Sequence, residues 1–253
     1  MQPEDGTDGR IFRDERNWAR PVRFVEDKFG IVRIFRQPKA NHRYAMGIDM
    51  STGKESDKGD PDESVADLYD LDAGPWCEQV ACIGGRLNSE EIADPVLWLA
   101  EYFGWPIITT ERSYADHLIV RLEREYPTRL LFRGPDHRTG YHTHGGNRNR
   151  IIDTLAYFIS KRSIMLHDRR SIAQCRSFVK AASGRFEAGK GSHDDYVIAP
   201  GLAMIGAEAY PSVRPLGVGA TAMHQELAVK QVEWGGAAVA SKAVWDGYGE
   251  PGD

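Results

Sequence analysis

Cysteines are few in this 253-residue chain and long apolar runs are absent, and each shortage excludes a class of protein. Cys77, Cys82 and Cys175 form no Cys-x-x-Cys pair, so we expect reduced thiols in a core rather than a disulfide framework. No apolar stretch approaches the roughly 20 residues of a membrane span. The charged residues 1–20 contain no apolar segment of a secretory signal. We therefore expect a cytoplasmic protein without a membrane partner.

The composition is that of an ordinary globular protein, with 41% hydrophobic and 27% charged residues. The length accommodates one sizeable domain with tails, or two small domains. We expect a polar lead or linker over residues 1–30 and an α/β domain over 31–210. The Gly- and Ala-rich tail over 211–253 has weak periodicity and is expected to be disordered.

The formal net charge of −5 is distributed unevenly along the sequence. From Asp49 to Asp72 there are nine acids and two bases, whereas residues 129–150 contain five arginines and one acid. Residues 161–190 contain eight lysines or arginines and two acids. An acidic centre flanked by basic segments suits a metal site that also holds a polyanion, although a mixed solvated surface has the same composition.

Acids stand at three comparable places in the predicted elements. Asp49 ends an apolar predicted strand, Glu111 ends another, and Asp194 and Asp195 open the last apolar helix. Taken singly, these acids could be a turn cap, a surface acid and a helix N-cap. Because strand ends and helix starts gather at one edge of an α/β sheet, the acids are expected to meet there. Their hard oxygens suit Mg²⁺ or Mn²⁺, and two such ions can hydrolyse a phosphodiester.

The hydrophobic patterns predict a meander of strands followed by alternating helices and short strands. The meander strands are predicted over 43–50, 64–71 and 76–83, and the shorter strands over 29–35, 106–111, 128–133, 163–166 and 185–188. Helices are predicted over 94–103, 113–125, 149–161, 169–181 and about 193–209.

This order of elements resembles the RNase H-like nuclease fold, a mixed central sheet flanked by helices. Over residues 31–209 the local sequences resemble the nuclease domain of the large terminase subunit of tailed bacteriophages. The resembling stretches are 44–49 with the loop after it, 64–70, 110–112, 125–127, 140–143, 184–188 and Gly191-Ser192-His193-Asp194-Asp195-Tyr196-Val197. The last stretch is the most specific. The family often has Asn, Asn and Gly soon after the Glu, where this chain has 112–115, and a Lys where Arg148 stands.

The resemblance implies a DNA endonuclease that cuts concatemeric double-stranded viral DNA during genome packaging, with two Mg²⁺ or Mn²⁺ ions. Asp49 is expected to bridge the ions, with Glu111 and Asp195 as further ligands and Asp194 in a supporting role. His193 could be a metal ligand, a proton-transfer residue or a turn residue. The implied setting is the cytoplasm of a bacterial host, and the implied partners are a packaging ATPase, a portal and a small terminase subunit.

The basic segments supply the expected contacts to DNA phosphates. The residues expected to contact these phosphates are Arg133, Arg148, Arg150 and Lys190. The sequence has no Walker A loop, because Gly53-Lys54 is followed by Glu55 and Gly47 is one residue too far upstream. The chain is therefore expected to correspond to the nuclease half of the large subunit, without an ATPase motif.

Three other interpretations remain open at this point. A non-catalytic RNase H-like module for DNA binding or assembly would share the fold, but it would not need all of the acids. An actin-like or sugar-kinase-like phosphotransferase would match 47–53 as a phosphate loop, but it would need a second, similar domain. A zinc site from His137, His142, His144 and His193 matches no known ligand spacing.

Overall fold

The computed structural model describes residues 5–13, 21–52, 62–144, 146–180, 186–188 and 194–209. Strands β1 to β10 span Thr7–Phe12, Arg23–Glu26, Val32–Ile34, Tyr44–Asp49, Ser64–Asp70, Cys77–Gly85, Ile107–Thr110, Ile164–Met165, Phe178–Lys180 and Phe186–Ala188. Helices α1 to α5 span Ala93–Tyr102, Asp116–Glu125, Arg148–Ser160, Arg169–Ser177 and Asp195–Ala209. Within the described ranges, no helix has the length and apolarity needed to cross a membrane.

Eight strands form one mixed sheet in the order β2-β1-β3-β6-β5-β4-β7, with β8 beside the start of β6. The β4–β7 and β6–β8 pairs are parallel, and the other pairs of this sheet are antiparallel. The predicted meander is confirmed as β4, β5 and β6. Strands β9 and β10 pair with each other in a separate two-stranded sheet.

The N-terminal segment corrects one expectation. Residues 1–30 were predicted to be a polar lead, yet β1 and β2 lie within them and extend the central sheet. Strand β1 pairs with β3, placing Thr7 opposite Ile34 and Gly9 opposite Val32. The physical reason is that a strand near the sheet edge needs few apolar residues, and in β1 only Gly9 and Ile11 are buried.

The segment after α2 also differs from its prediction as a strand over 128–133. Residues Thr128–Leu130 form a 3-10 turn, and only single bridges follow, from Leu131 to Ile108 and from Arg133 to residues 139–140. Its apolar residues Leu130, Leu131 and Phe132 are consecutive and all buried. A short continuous apolar run does not distinguish a strand from other buried backbone.

The two faces of the sheet are covered by different helices. Met46 and Ile48 of β4 belong to a core shared with α1 and α2, whereas Ala45 belongs to a core shared with α3, α4 and α5. Because side chains alternate along a strand, Gly47 and Asp49 lie on the same face as Ala45. The strand-end acid Asp49 therefore faces the side of the sheet that α5 covers.

Helix α5 lies directly against β4 at Gly47. A Cβ at this position would overlap the carbonyl oxygen of Ala199 and the backbone nitrogen of Ala203. The helix is buried along most of its length, which matches its lack of an amphipathic pattern. The absent side chain at Gly47 therefore sets how closely the start of α5 approaches the end of β4.

We predict that Gly47→Ala destabilises the protein by roughly 1–3 kcal/mol or more, because the added methyl meets backbone atoms that cannot rotate away. Chemical denaturation measures the loss. Gly146→Ala is the control, because the atoms nearest to its Cβ belong to the side chain of exposed His144. Equal stability of the two variants would contradict the close packing of α5 on β4.

Candidate metal centre

Two of the predicted acids stand side by side at the edge of the sheet. Asp49 is the last residue of β4 and is 8% exposed. Strand β7 runs parallel to β4, and the Glu111 backbone N–H donates to the carbonyl of Ile48 at 2.8 Å. Glu111 is thereby held one strand away from Asp49, at the same level along the sheet.

The carboxyl group of Glu111 lies close enough to that of Asp49 to interact with it directly. Two carboxylates this close repel each other unless a proton or a cation lies between them. Burial raises the pKa of Asp49 well above its ordinary value, and the charges of Glu111 and Asp195 raise it further. The centre therefore concentrates negative charge and favours the binding of a proton or a cation.

Asp195 brings a third carboxylate to this edge from the first turn of α5. It is 7% exposed, and its negative charge raises the pKa of Asp49. Its Oδ2 accepts a hydrogen bond of 3.1 Å from the backbone N–H of Glu63, the residue before β5. Three separate elements thus bring Asp49, Glu111 and Asp195 together.

Asp194 has different contacts from its neighbour. Its carbonyl accepts from the backbone N–H of Val197 at 2.8 Å and of Ile198 at 2.9 Å, so Asp194 precedes the first turn of α5. Its carboxylate forms an ion pair with Arg148 at the start of α3. The same guanidinium lowers the pKa of Asp49, opposing the larger effects of burial and of the neighbouring acids.

The donor set of this edge fits a hard divalent cation. Among the described residues, no three His, Cys, Asp or Glu side chains already stand in a group that could hold a metal. The carboxylates of Asp49, Glu111 and Asp195 nevertheless influence one another electrostatically across the edge. A divalent ion would offset the repulsion that raises the pKa of Asp49.

The predicted DNA contacts fall at several places on the surface. Arg148 lies beside the acids, while Arg150 lines a cleft of about 230 Å³ with His142 and His144. Arg133 is exposed, and its guanidinium donates to the carbonyl of His137 at 3.1 Å. Asp49, Glu111 and Asp195 do not line this cleft. The backbone of Glu111 forms a single β-bridge with Tyr141, which does line it. Lys190 and His193 lie outside the described residues, as does the tail over 211–253.

Arg112 follows Glu111 directly and organises the adjoining loop. Its guanidinium makes a two-pronged ion pair with Asp136 at 2.6 and 2.7 Å. It also donates to the carbonyls of Arg138, Thr139 and Gly140. The pairing holds the pKa of Asp136 well below its usual range. In the sequence, Arg112 was apparent only as a departure from the family pattern, because its partners lie more than 20 residues away.

The strand order and the acids at one sheet edge define the class of fold, which is the RNase H-like α/β fold. The large terminase nuclease of the thermophilic phage G20c matches at a TM-score of 0.53 and 20% identity, covering 74% of this chain and 91% of that one. Its form with bound magnesium matches at 0.54 and 19%, covering 71% and 89%. The large terminase nuclease domain of Thermus phage P74-26 matches at 0.53 and 20%, covering 76% and 92%.

At these identities the likeness concerns the fold, and it confirms the fold that the sequence resemblance implied. Further structures of the G20c nuclease contain bound cobalt and bound zinc. No family model matches the sequence. No curated protein matches it either. The chain therefore has the fold of large terminase nuclease domains, and the roles of its acids rest on their geometry.

We predict that Asp49→Asn stabilises the metal-free protein. The raised pKa means that the folded state binds a proton that the unfolded chain releases. Wild-type stability therefore falls as the pH rises above the ordinary carboxyl range, whereas asparagine does not titrate. The unfolding temperature of the variant in chelator should exceed that of the wild type by about 2–4 °C near neutrality, the shift that roughly 1 kcal/mol produces in a domain of this size.

The advantage of Asp49→Asn should grow as the pH rises above the ordinary carboxyl range. Thermal unfolding at a series of pH values measures this difference in stability. Asp116→Asn, at an exposed position of α2, is the control. A variant that is less stable than the wild type at every pH would contradict the like-charge repulsion at this edge.

Proposed function

We propose that this chain is a metal-dependent DNA endonuclease of the kind that cuts concatemeric double-stranded DNA during viral genome packaging. The observation that carries the proposal is the meeting of the Asp49, Glu111 and Asp195 carboxylates on the fold of large terminase nucleases. Burying like charges together is costly for folding. A centre of this kind is expected where a cation is bound for function.

Asp49, Glu111 and Asp195 would hold two Mg²⁺ or Mn²⁺ ions. Asp49 would be the ligand shared by both ions, because the charges of both other acids act on it. The chemistry that such ions supply is activation of a water and stabilisation of the leaving oxygen of a phosphodiester. Burial of Asp49 and Asp195 excludes competing water from their oxygens. Glu111 is partly exposed, so its carboxylate remains accessible from solvent.

Asp194 and Arg148 support the centre from beside it. The ion pair offsets the charge of an acid that is not needed as a ligand, and it holds Arg148 near Asp49. In that position the guanidinium can also contact a phosphate of the DNA strand being cut. We assign His193 a proton-transfer or supporting role, because it precedes the two acids in the sequence.

The DNA is proposed to cross the basic surface around the cleft. Arg133, Arg148, Arg150 and Lys190 would contact phosphates rather than bases, so binding should be largely independent of sequence. In this function the chain acts in the cytoplasm of a bacterial host. Its partners are a packaging ATPase, a portal and a small terminase subunit.

The direct test is incubation of the purified protein with plasmid DNA and Mn²⁺ or Mg²⁺, with and without chelator. We expect cleavage that requires the metal, and its loss in Asp49→Asn because the ion would lose its shared ligand. Asp116→Asn is the matched control and should cleave as the wild type does. Cleavage that persists in Asp49→Asn, or that chelator does not reduce, would overturn the assignment.

DNA binding is tested separately, in chelator, by the dependence of affinity on salt. We expect affinity to fall steeply with salt, and Arg150→Gln to weaken binding similarly for unrelated duplexes while reducing the salt slope by about 1. Arg124→Gln on exposed α2 is the control. A flat response to salt, or a strong preference among duplexes of equal length, would count against the phosphate contacts.

A non-catalytic DNA-binding module is the second candidate. It is favoured because no three side chains among the described residues already form a group that could hold a metal ion. This alternative predicts salt-dependent DNA binding without metal-dependent cleavage. The plasmid assay therefore distinguishes the two functions.

A further inference from the structure

A second group of polar side chains adjoins the acids, and the sequence pattern assigned it no role. It consists of Glu63 before β5, Tyr196 in the first turn of α5, and Arg170 in α4. These residues are more than 20 positions apart in the sequence, yet they contact one another in the fold. We call this group the α5 brace.

Two hydrogen bonds run in opposite directions between Glu63 and the start of α5. The Glu63 backbone N–H donates to Oδ2 of Asp195 at 3.1 Å. The Tyr196 hydroxyl donates back to Oε2 of Glu63 at 2.5 Å. The two hydrogen bonds hold both the backbone and the side chain of Glu63. The Glu63 N–H therefore stays directed at the Asp195 carboxylate.

Arg170 completes the brace from the other side. Its guanidinium lies 4.5 Å from the centre of the Tyr196 ring, and its Nη1 is 3.7 Å from Oε2 of Glu63. Asp168, which is fully buried, orients this guanidinium through a 3.0 Å bond to Nη2. The Glu63 carboxylate therefore has a cationic neighbour as well as a hydroxyl donor.

The fold leaves space for this arrangement at Gly84 of β6. A Cβ at Gly84 would overlap the Tyr196 hydroxyl and would lie 3.1 Å from Nη1 of Arg170. The Tyr196 side chain is 2% exposed, and its backbone N–H donates to Oε1 of Gln174 at 2.9 Å. Sheet, α4 and α5 thus all contribute to the position of one tyrosine beside Asp195.

We propose that Tyr196 and Glu63 are positioning residues that hold the Asp195 carboxylate in the orientation a divalent ion requires. This inference rests on the proposed function, because it concerns the metal that Asp195 would bind. A ligand that is already oriented loses less conformational freedom when the ion binds. Groups that orient metal ligands in this way commonly contribute 10–100-fold to metal affinity.

The test is Tyr196→Phe, which removes the hydroxyl and keeps the ring beneath Arg170. Mn²⁺ affinity is measured by calorimetry without DNA, and we expect it to fall by about 10–100-fold. Cleavage should recover as Mn²⁺ is raised, which a general loss of folding would not allow. Tyr69→Phe is the matched control, because the Tyr69 hydroxyl also donates to a buried carboxylate, that of Asp67 at 2.9 Å. It should bind Mn²⁺ as the wild type does.

Glu63→Ala provides a second route to the same contact. If the hydroxyl acts through Glu63, the double variant with Tyr196→Phe should lose less affinity than the sum of the single losses. Wild-type Mn²⁺ affinity in Tyr196→Phe, equal losses in Tyr196→Phe and Tyr69→Phe, or full additivity with Glu63→Ala would overturn the brace. A wild-type protein that binds no Mn²⁺ would instead overturn the proposed function itself.

Discussion

Helix α5 rests on β4 without a side chain between them at Gly47, and the approach of Asp195 to the strand-end acids depends on this contact. The contact carries the N-terminus of α5 to the end of β4, so that Asp195 approaches Asp49. Parallel pairing of β7 with β4 then adds Glu111 at the same level. A bulkier residue at position 47 would separate the helix from the sheet and the third carboxylate from the other two.

The same packing makes the acids costly for the folded state. Burial and neighbouring charges raise the pKa of Asp49, whereas the Arg148 guanidinium, which also pairs with Asp194, lowers it. The protein thus accumulates more negative charge at this edge than that guanidinium offsets. Natural proteins retain such strain where it serves binding or catalysis. A bound cation would relieve it, which links the stability of the centre to its function.

Strands β4 to β6 and the placement of the three acids at two strand ends and a helix start could be predicted because each depends on local sequence. An apolar strand ending in Asp49, a second ending in Glu111 and an apolar helix opening at Asp195 are visible in short windows. Contacts between distant residues could not be predicted in this way. The pairing of Tyr196 with Glu63 spans 133 positions, and no pattern in the sequence marks it. Strand β1 was missed because a strand near the sheet edge lacks a strong apolar signal.

The claim that the acidic edge binds divalent cations is tested most directly by a crystal structure of the protein grown with Mn²⁺, using the anomalous scattering of the metal. We expect anomalous peaks between the carboxylates of Asp49, Glu111 and Asp195, with metal–oxygen distances of about 2.0–2.4 Å. An ordered edge without an anomalous peak at saturating Mn²⁺, or peaks confined to other surfaces, would contradict the metal centre.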